Sequence, residues 1–219
     1  MALSVKKVKT STDKNKFIKL PWKIYGDSPL WVPPLISERK KFLDPSVNPF
    51  FKDSKVDFFL VISDNQTVVG RVALIENHVF NKELPERVGF FGMFEVVNDK
   101  QASDLLLDKA EQWCREKKFS KLVGPESFTT NHECGLLVDG FDTPPVMGIP
   151  YNPRYYSDLI ESWGLEKYKD LVSLRMDFPK MPEYLETAIR RINKRERFFV
   201  RPFCLNKFNE ELEAIWHIY

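Results

Sequence analysis

Val88 to Val123, VGFFGMFEVVNDKQASDLLLDKAEQWCREKKFSKLV, is the stretch that decides the fold, because it reads as strand, amphipathic helix and strand in one pass. Ala102, Leu105, Leu106, Ala110, Trp113 and Cys114 recur at three- and four-residue spacing and leave Asp104, Asp108, Glu111 and Lys117 outward, the pattern of a helix lying on a sheet. Asn98 with Gln101 three residues on predicts a capping box. Glu111 and Arg115 can pair across one turn, and Arg115, Lys117 and Lys118 suit the negative C-terminal end. Before the helix, Arg87 to Val97 is aromatic and β-branched with Gly89 and Gly92 inside, which predicts a bulge or a close backbone approach. After it, Lys121-Leu122-Val123 is a short strand stopped by Gly124-Pro125. The turn into the helix, Asn98 to Ser103, contains no glycine.

Upstream, Leu3 to Lys9 is a first strand. Asp13 to Tyr25 carries Phe17, Ile18, Trp22 and Tyr25 at helical spacing, with Pro21 expected to kink or divide it and Gly26 to end it. Asp27 to Ser54 is rich in proline and aromatics around a short helical stretch, Leu35 to Leu43; a connection so long is uncommon unless it covers something. Asp57 to Ser63 and Thr67 to Ile75 form a hairpin and, with Arg87 to Val97, an antiparallel meander. Downstream come a helix, Pro153 to Trp163, and an alternating strand, Leu171 to Phe178. The order predicts an α/β fold: a mixed, mostly antiparallel central sheet flanked by helices, in one domain over residues 1–195.

Trp216-His217-Ile218-Tyr219 echoes Trp22-Lys23-Ile24-Tyr25 at an offset of 194 residues, about the size of a domain. A strand-like segment precedes each, Val5 to Lys9 and Phe198 to Phe203, and Tyr184 to Ile192 reads as a connecting helix. On this reading residues 196–219 open a second, truncated copy. Coincidence between two aromatic-rich helices is the competing explanation.

The 219 residues are 43% hydrophobic, enough for a full core, and Lys+Arg 33 against Asp+Glu 31 leaves a net charge of +2. That charge gives no reason to expect a membrane or a nucleic acid as partner, so any basic site must be local. Arg190, Arg191, Lys194, Arg195, Arg197 and Arg201 form such a cluster, readable as a solvated face or as a phosphate-binding one. Three widely spaced cysteines point to reduced thiols in a soluble, cytoplasmic protein, and MALSVKKVKT has no signal core. His132-Glu133-Cys134 lacks the recurrent spacing of a zinc site, so no metal is expected there; a structural or substrate-contacting loop is. Asp139 to Tyr156, stiffened by four prolines, is a candidate wall for a small-molecule cleft together with Trp31 and Phe51, or core beneath a long loop.

Gly89-Phe90-Phe91-Gly92-Met93-Phe94-Glu95, Gly124-Pro125, Gly135-Leu136-Leu137-Val138-Asp139-Gly140-Phe141-Asp142 with Pro144-Pro145, and Tyr151-Asn152-Pro153-Arg154-Tyr155-Tyr156 ending in Glu161 and Gly164 resemble the GNAT family of acyl-CoA-dependent N-acyltransferases, in particular bacterial proteins with two such domains in tandem. The resemblance implies acetyl-CoA or another acyl-CoA as cofactor, a small-molecule amine as acceptor, and a second acyltransferase-like domain as partner. Glu95 is then the candidate general base, or else a strand-end carboxylate in a salt bridge. Phe94, Val96 and Val97 would offer backbone to the cofactor, and Lys100, Gln101 and Ser103 would stand near its phosphates. Asn131, Glu133, Tyr155 and Tyr156 are the substrate-side candidates. Two positions depart from the family pattern. The turn at 98–103 lacks the glycines that bare backbone N–H groups, and Ile160 stands four residues before Gly164 where many active members place a tyrosine, with Tyr155 and Tyr156 expected to point elsewhere. A non-catalytic binding or scaffold half, or aminoacyl transfer from charged tRNA using the basic cluster, are the alternatives.

Overall fold

In the computed structural model, which describes residues 2–174, 181–194 and 201–218, five strands lie in chain order: β1 Leu3–Lys7, β2 Ser54–Ser63, β3 Val68–Asn77, β4 Val88–Val96 and β5 Lys121–Val123. The first three pairings are antiparallel. β5 runs parallel to β4 and pairs only Val88, Gly89 and Phe90. The helices are α1 Ser11–Tyr25, α2 Ile36–Phe42, α3 His78–Lys82, α4 Lys100–Lys117 and α5 Tyr155–Trp163. The expected mixed, mostly antiparallel sheet flanked by helices is therefore present.

Two cores form, one on each face of the sheet. On one face, Phe17 and Ile18 of α1 and Leu43 after α2 pack on Leu60, Ala73, Ile75, Phe90 and Met93. On the other, Leu106, Leu107, Ala110 and Trp113 of α4 and Tyr156, Leu159 and Ile160 of α5 pack on Phe59, Val61, Val72, Leu74 and Phe91. Each apolar stripe has a sheet face to bury against, as the α4 periodicity requires.

Several local expectations are corrected. Of the two outcomes expected at Pro21, a kink or a division, the division does not occur: α1 is one helix from Ser11 to Tyr25. The cap of α4 is Asp99, one residue later than Asn98, because Asp99 has the extended backbone of an N-cap and its carboxylate accepts from the Ala102 N–H. Both features expected near Gly92 occur. The register between β3 and β4 slips between Arg71 and Ala73, with Met93 in the left-handed region at φ 48°, and a Cβ on Gly92 would lie 1.9 Å from the Glu126 carbonyl oxygen.

Beyond α5, Leu171 to Leu174 carry no strand, and the rest of the expected last strand lies outside the described residues. The chain divides into two compact units, Met1–Leu171 and Val172–Tyr219. The second contains α6 Glu183–Asn193 and α7 Phe208–Ile218, the latter following a 3-10 turn at Leu205–Lys207, and Arg201 pairs with Glu211 at 2.7 Å. The expected strand at 198–203 and the boundary at 195 fall mostly on residues outside those described. Among the described residues no helix is long and apolar enough to cross a membrane, and the three cysteines are free thiols.

Candidate functional site

The site begins with the bulge. Phe90 and Met93 both join the α1-side core, whereas Phe91 and Phe94 join the α4-side core, so the extra residue in β4 resets the two-residue alternation. Glu95 thereby faces α1 together with Arg71, its register partner on β3. Without the bulge the same carboxylate would be driven under α4.

Three side chains converge on that carboxylate. Tyr25, the last residue of α1, donates to Glu95 Oε2 at 2.5 Å, and Tyr156 of α5 donates to the same oxygen at 2.8 Å. Arg71 Nη2 stands 3.5 Å from Oε1. The side chains of Arg71 and Glu95 are only 12% and 13% exposed, so the charges act in a weakly screened setting. Trp31 stacks on the Tyr25 ring at 5.2 Å and Tyr151 lies 5.9 Å from it, its hydroxyl sharing a 2.8 Å hydrogen bond with Ser28. The proline-rich connection after α1 thus covers Tyr25, the expected role for so long a loop. Phe51 goes elsewhere, onto Phe128 in the α1-side core, so the expected pairing of Trp31 and Phe51 in one wall does not form.

Burial pushes the Glu95 carboxyl above its usual range, against the opposing pull of Arg71 and the two tyrosine hydroxyls, with Glu133 adding to the upward shift. Burial also raises both tyrosines, and the adjacent Glu95 charge raises them further, so they remain hydroxyl donors. Burial lowers Arg71 against the pull of Glu95. A carboxylate that holds a proton more readily than an exposed one, fixed by donors on both sides, is suited to taking and passing protons.

Glu95, Tyr155 and Tyr156 are brought together. Contrary to expectation, the two tyrosines turn toward β4: the Tyr156 hydroxyl accepts from the Val96 N–H at 2.9 Å, and Tyr155 donates to the Val96 carbonyl at 2.9 Å. They reach it because β5 leaves β4 after Phe90, freeing that edge of Val96 from strand pairing. Burial lifts Tyr155 to about 12. Phe94 is buried against the Tyr156 ring, and the Val97 N–H donates to Val69. Glu133 forms an ion pair with Arg39 after α2 begins, holding the 129–135 loop against that helix. Asn131 is exposed, its N–H bonded to Thr129. The remaining candidates are not at this site: Lys100 is exposed and paired with Asp104 at 2.7 Å, Gln101 is exposed, and Ser103 is fully buried with an Oγ that meets no partner.

The N-terminus of α4 is closed by its own side chain. The Asp99 carboxylate occupies the capping position, where it would repel a phosphate, and no glycine bares the turn. The outward polar groups of Val96, which an extended ligand laid along β4 would need, are already bonded to tyrosines. Among the described residues no group of three or more His, Cys, Asp or Glu is placed to hold a metal, and His132 instead shares a 2.9 Å bond with Thr129 beside the Phe42 ring.

Sequence reading missed Tyr25, Arg71 and Glu126. Arg71 was visible as a lone charge inside VVGRVALI. Glu126, buried after β5 and raised by burial, gave no such sign beyond following Gly124-Pro125.

No family model matches the chain. Over 219 residues, 99% of its length, it is 32% identical to the bacterial ceramide synthase of Caulobacter vibrioides, and over 217 residues it is 31% identical to Protein YghO of Escherichia coli. It spans about half the length of these curated relatives, 56% and 55%. Among solved structures, glucosamine-6-phosphate N-acetyltransferase from Arabidopsis thaliana superposes with a TM-score of 0.48 at 10% identity, over 81% of this chain and 100% of that one. A meander of antiparallel strands, a parallel fifth strand and α4 crossing between the last two make up the sheet that carries this site.

Proposed function

We propose that this chain provides the acceptor side of an N-acyl transfer, in which an amine is held beside Glu95 and gives up its proton to that carboxylate directly or through a water. The carrying observation is the buried Glu95, its proton affinity raised by burial, set between Tyr25, Tyr156 and Arg71. The acyl group comes from an acyl-CoA. Its diphosphate is held away from the α4 N-terminus, by the second acyltransferase-like domain that residues 196–219 would open. A ceramide is the amide of a long-chain amino alcohol, so the name of the Caulobacter relative supports a long-chain amine as acceptor. The free thiols support a cytoplasmic setting for the same reaction.

The test is amide formation from an acyl-CoA and a long-chain amine by the full parent protein carrying Glu95→Gln. A general base supplies about a hundredfold or more, so a loss of that size with little change in the amine KM is expected. Unchanged turnover defeats the reading.

A second reading, that this domain is a non-catalytic half, is favoured by the Asp99 cap and by the tyrosine-bonded edge of Val96. Calorimetric titration with acetyl-CoA separates the two questions: absence of heat at millimolar ligand places donor binding outside this chain, while the Glu95→Gln assay decides whether the chain still serves the chemistry. Reading the parent frame past Tyr219 tests the duplication, which a stop codon there removes.

A further inference from the structure

The small net charge conceals a division along the chain. Residues 1–55 contain 12 Lys and Arg against 5 Asp and Glu, and residues 56–219 contain 21 against 26, so a segment of +7 is joined to one of −5. The basic segment is β1 followed by the whole layer that covers one face of the sheet: α1, the proline-rich connection, α2 and the 3-10 turn Pro49–Lys52. That layer turns Phe17, Ile18 and Leu43 inward, with Ile36, Phe42 and Phe50 partly buried beside them. Its charge consequently lies outward.

Lys9, Lys16, Lys19, Lys40, Lys52 and Lys55 are exposed and make no ion pair among the described residues. Exposed aliphatics stand among them: Val32 at 62%, Leu35 at 69% and Val47 at 57%. At the edge of the layer a cleft of about 900 Å³ sets Lys9, Lys14 and Lys55 beside Leu43, Phe51 and Phe58.

We propose that this layer docks on a membrane surface rich in anionic lipid, the lysines meeting headgroups while Val32, Leu35 and Val47 enter the interface. The charge alone would serve any polyanion, but the composition selects among them. Nucleic-acid recognition draws on arginine forks and exposed stacking rings, and this segment has 11 lysines to one arginine, Arg39, which is paired with Glu133. Lysine stems that lie along apolar surface with the ammonium in water, interspersed with bare Val and Leu, match an interface with headgroups above and acyl chains below. The inference rests on charge and exposure, and it stands or falls separately from the role given to Glu95.

The test is sedimentation of the chain with vesicles of phosphatidylcholine alone or with about 30% phosphatidylglycerol, at low and at physiological salt. Binding is expected only to the anionic vesicles, falling with salt. The variant K16E/K19E/K40E/K52E should bind at least tenfold more weakly, and V32S/L35S several-fold more weakly at unchanged net charge. Since all six positions are exposed, circular dichroism should report the wild-type fold. Equal binding to neutral vesicles, no binding at low salt, or tighter retention by duplex RNA than by anionic vesicles at matched salt overturns the proposal. Wild-type binding by itself separates these outcomes if a variant fails to fold.

Discussion

Pro21 and Arg71 are coupled through the carbonyl of Phe17. A proline at position 21 has no N–H to give the residue four back in α1, and Arg71 Nη1 donates to that Phe17 oxygen at 2.7 Å from β3. The guanidinium also lies over the Phe17 ring, 4.9 Å from its centroid, while Nη2 faces Glu95. One buried arginine therefore mends a helix, anchors it to the sheet and balances the candidate base. Arg71→Leu leaves the Phe17 carbonyl without a donor and the buried carboxylate without its cation, and should cost about 3–5 kcal/mol by chemical denaturation. In a Pro21→Ala background the restored N–H takes the carbonyl, so the same change should cost about 1 kcal/mol less. Strict additivity in this cycle would show that the carbonyl is not shared.

Glu95 sets a pH dependence of opposite sign to that of the lysine-paired carboxylates Asp57 and Glu76. Its folded-state affinity for a proton is raised by burial, so the native state binds more protons than the unfolded one as pH climbs past the ordinary carboxylate value of 4.5. Stability from this group is complete below that value and is lost as pH rises toward the folded-state value. Asp57 and Glu76, lowered by Lys7 and Lys117 respectively, act in the other direction. The informative quantity is therefore the difference between wild type and Glu95→Gln across pH 4 to 8. The wild type should lose stability relative to the variant with rising pH, and a flat difference would mean that the carboxyl titrates as though exposed.

The sequence made some of this legible and left the rest dark for physical reasons. Helix α4 was readable because six apolar positions keep a helical period, and the close approach at Gly92 because a glycine inside an aromatic strand has few other uses. The charged site was half visible. Glu95 stands out in an apolar run, but its partners come from α1, β3 and α5, 70, 24 and 61 residues away in sequence, and local pattern says nothing about such convergence. The facing of Tyr155 and Tyr156 depended on a strand edge left free by a three-residue β5, and helix periodicity does not report edges. The basic layer was missed because a whole-chain charge sums regions of opposite sign.

Gly92 is the residue on which the bend of the chain past β5 depends. An added methyl would stand 1.9 Å from the Glu126 carbonyl oxygen and 2.5 Å from its carbon, and both belong to backbone that cannot swing aside. Gly92→Ala should lose about 3 kcal/mol or more in denaturant titration, the range of substitutions that force a core backbone apart. Gly148→Ala is the control: it has open space around it but a φ of 82°, so only the left-handed backbone penalty of about 1–2 kcal/mol applies. Comparable losses at the two positions would mean that β4 and the Glu126 segment separate easily.

Asp99 decides whether the N-terminus of α4 can receive phosphate. Its carboxylate accepts from the Ala102 N–H at 3.2 Å, so it both satisfies the helix end and puts a negative charge where that end would otherwise attract an anion. Asparagine keeps the cap and removes the charge, whereas alanine removes both. Asp99→Asn should therefore stay within about 0.5 kcal/mol of wild type in stability, and Asp99→Ala should lose about 1 kcal/mol. A unit charge a few ångströms from a doubly charged diphosphate is worth roughly 1 kcal/mol or more even at high dielectric. With the diphosphate held away from α4, neither variant should change the acetyl-CoA affinity measured by calorimetry, because no such charge pair is made. Binding about tenfold tighter in both variants, with the gain shrinking as salt is added, would show that the diphosphate approaches α4 against the Asp99 charge.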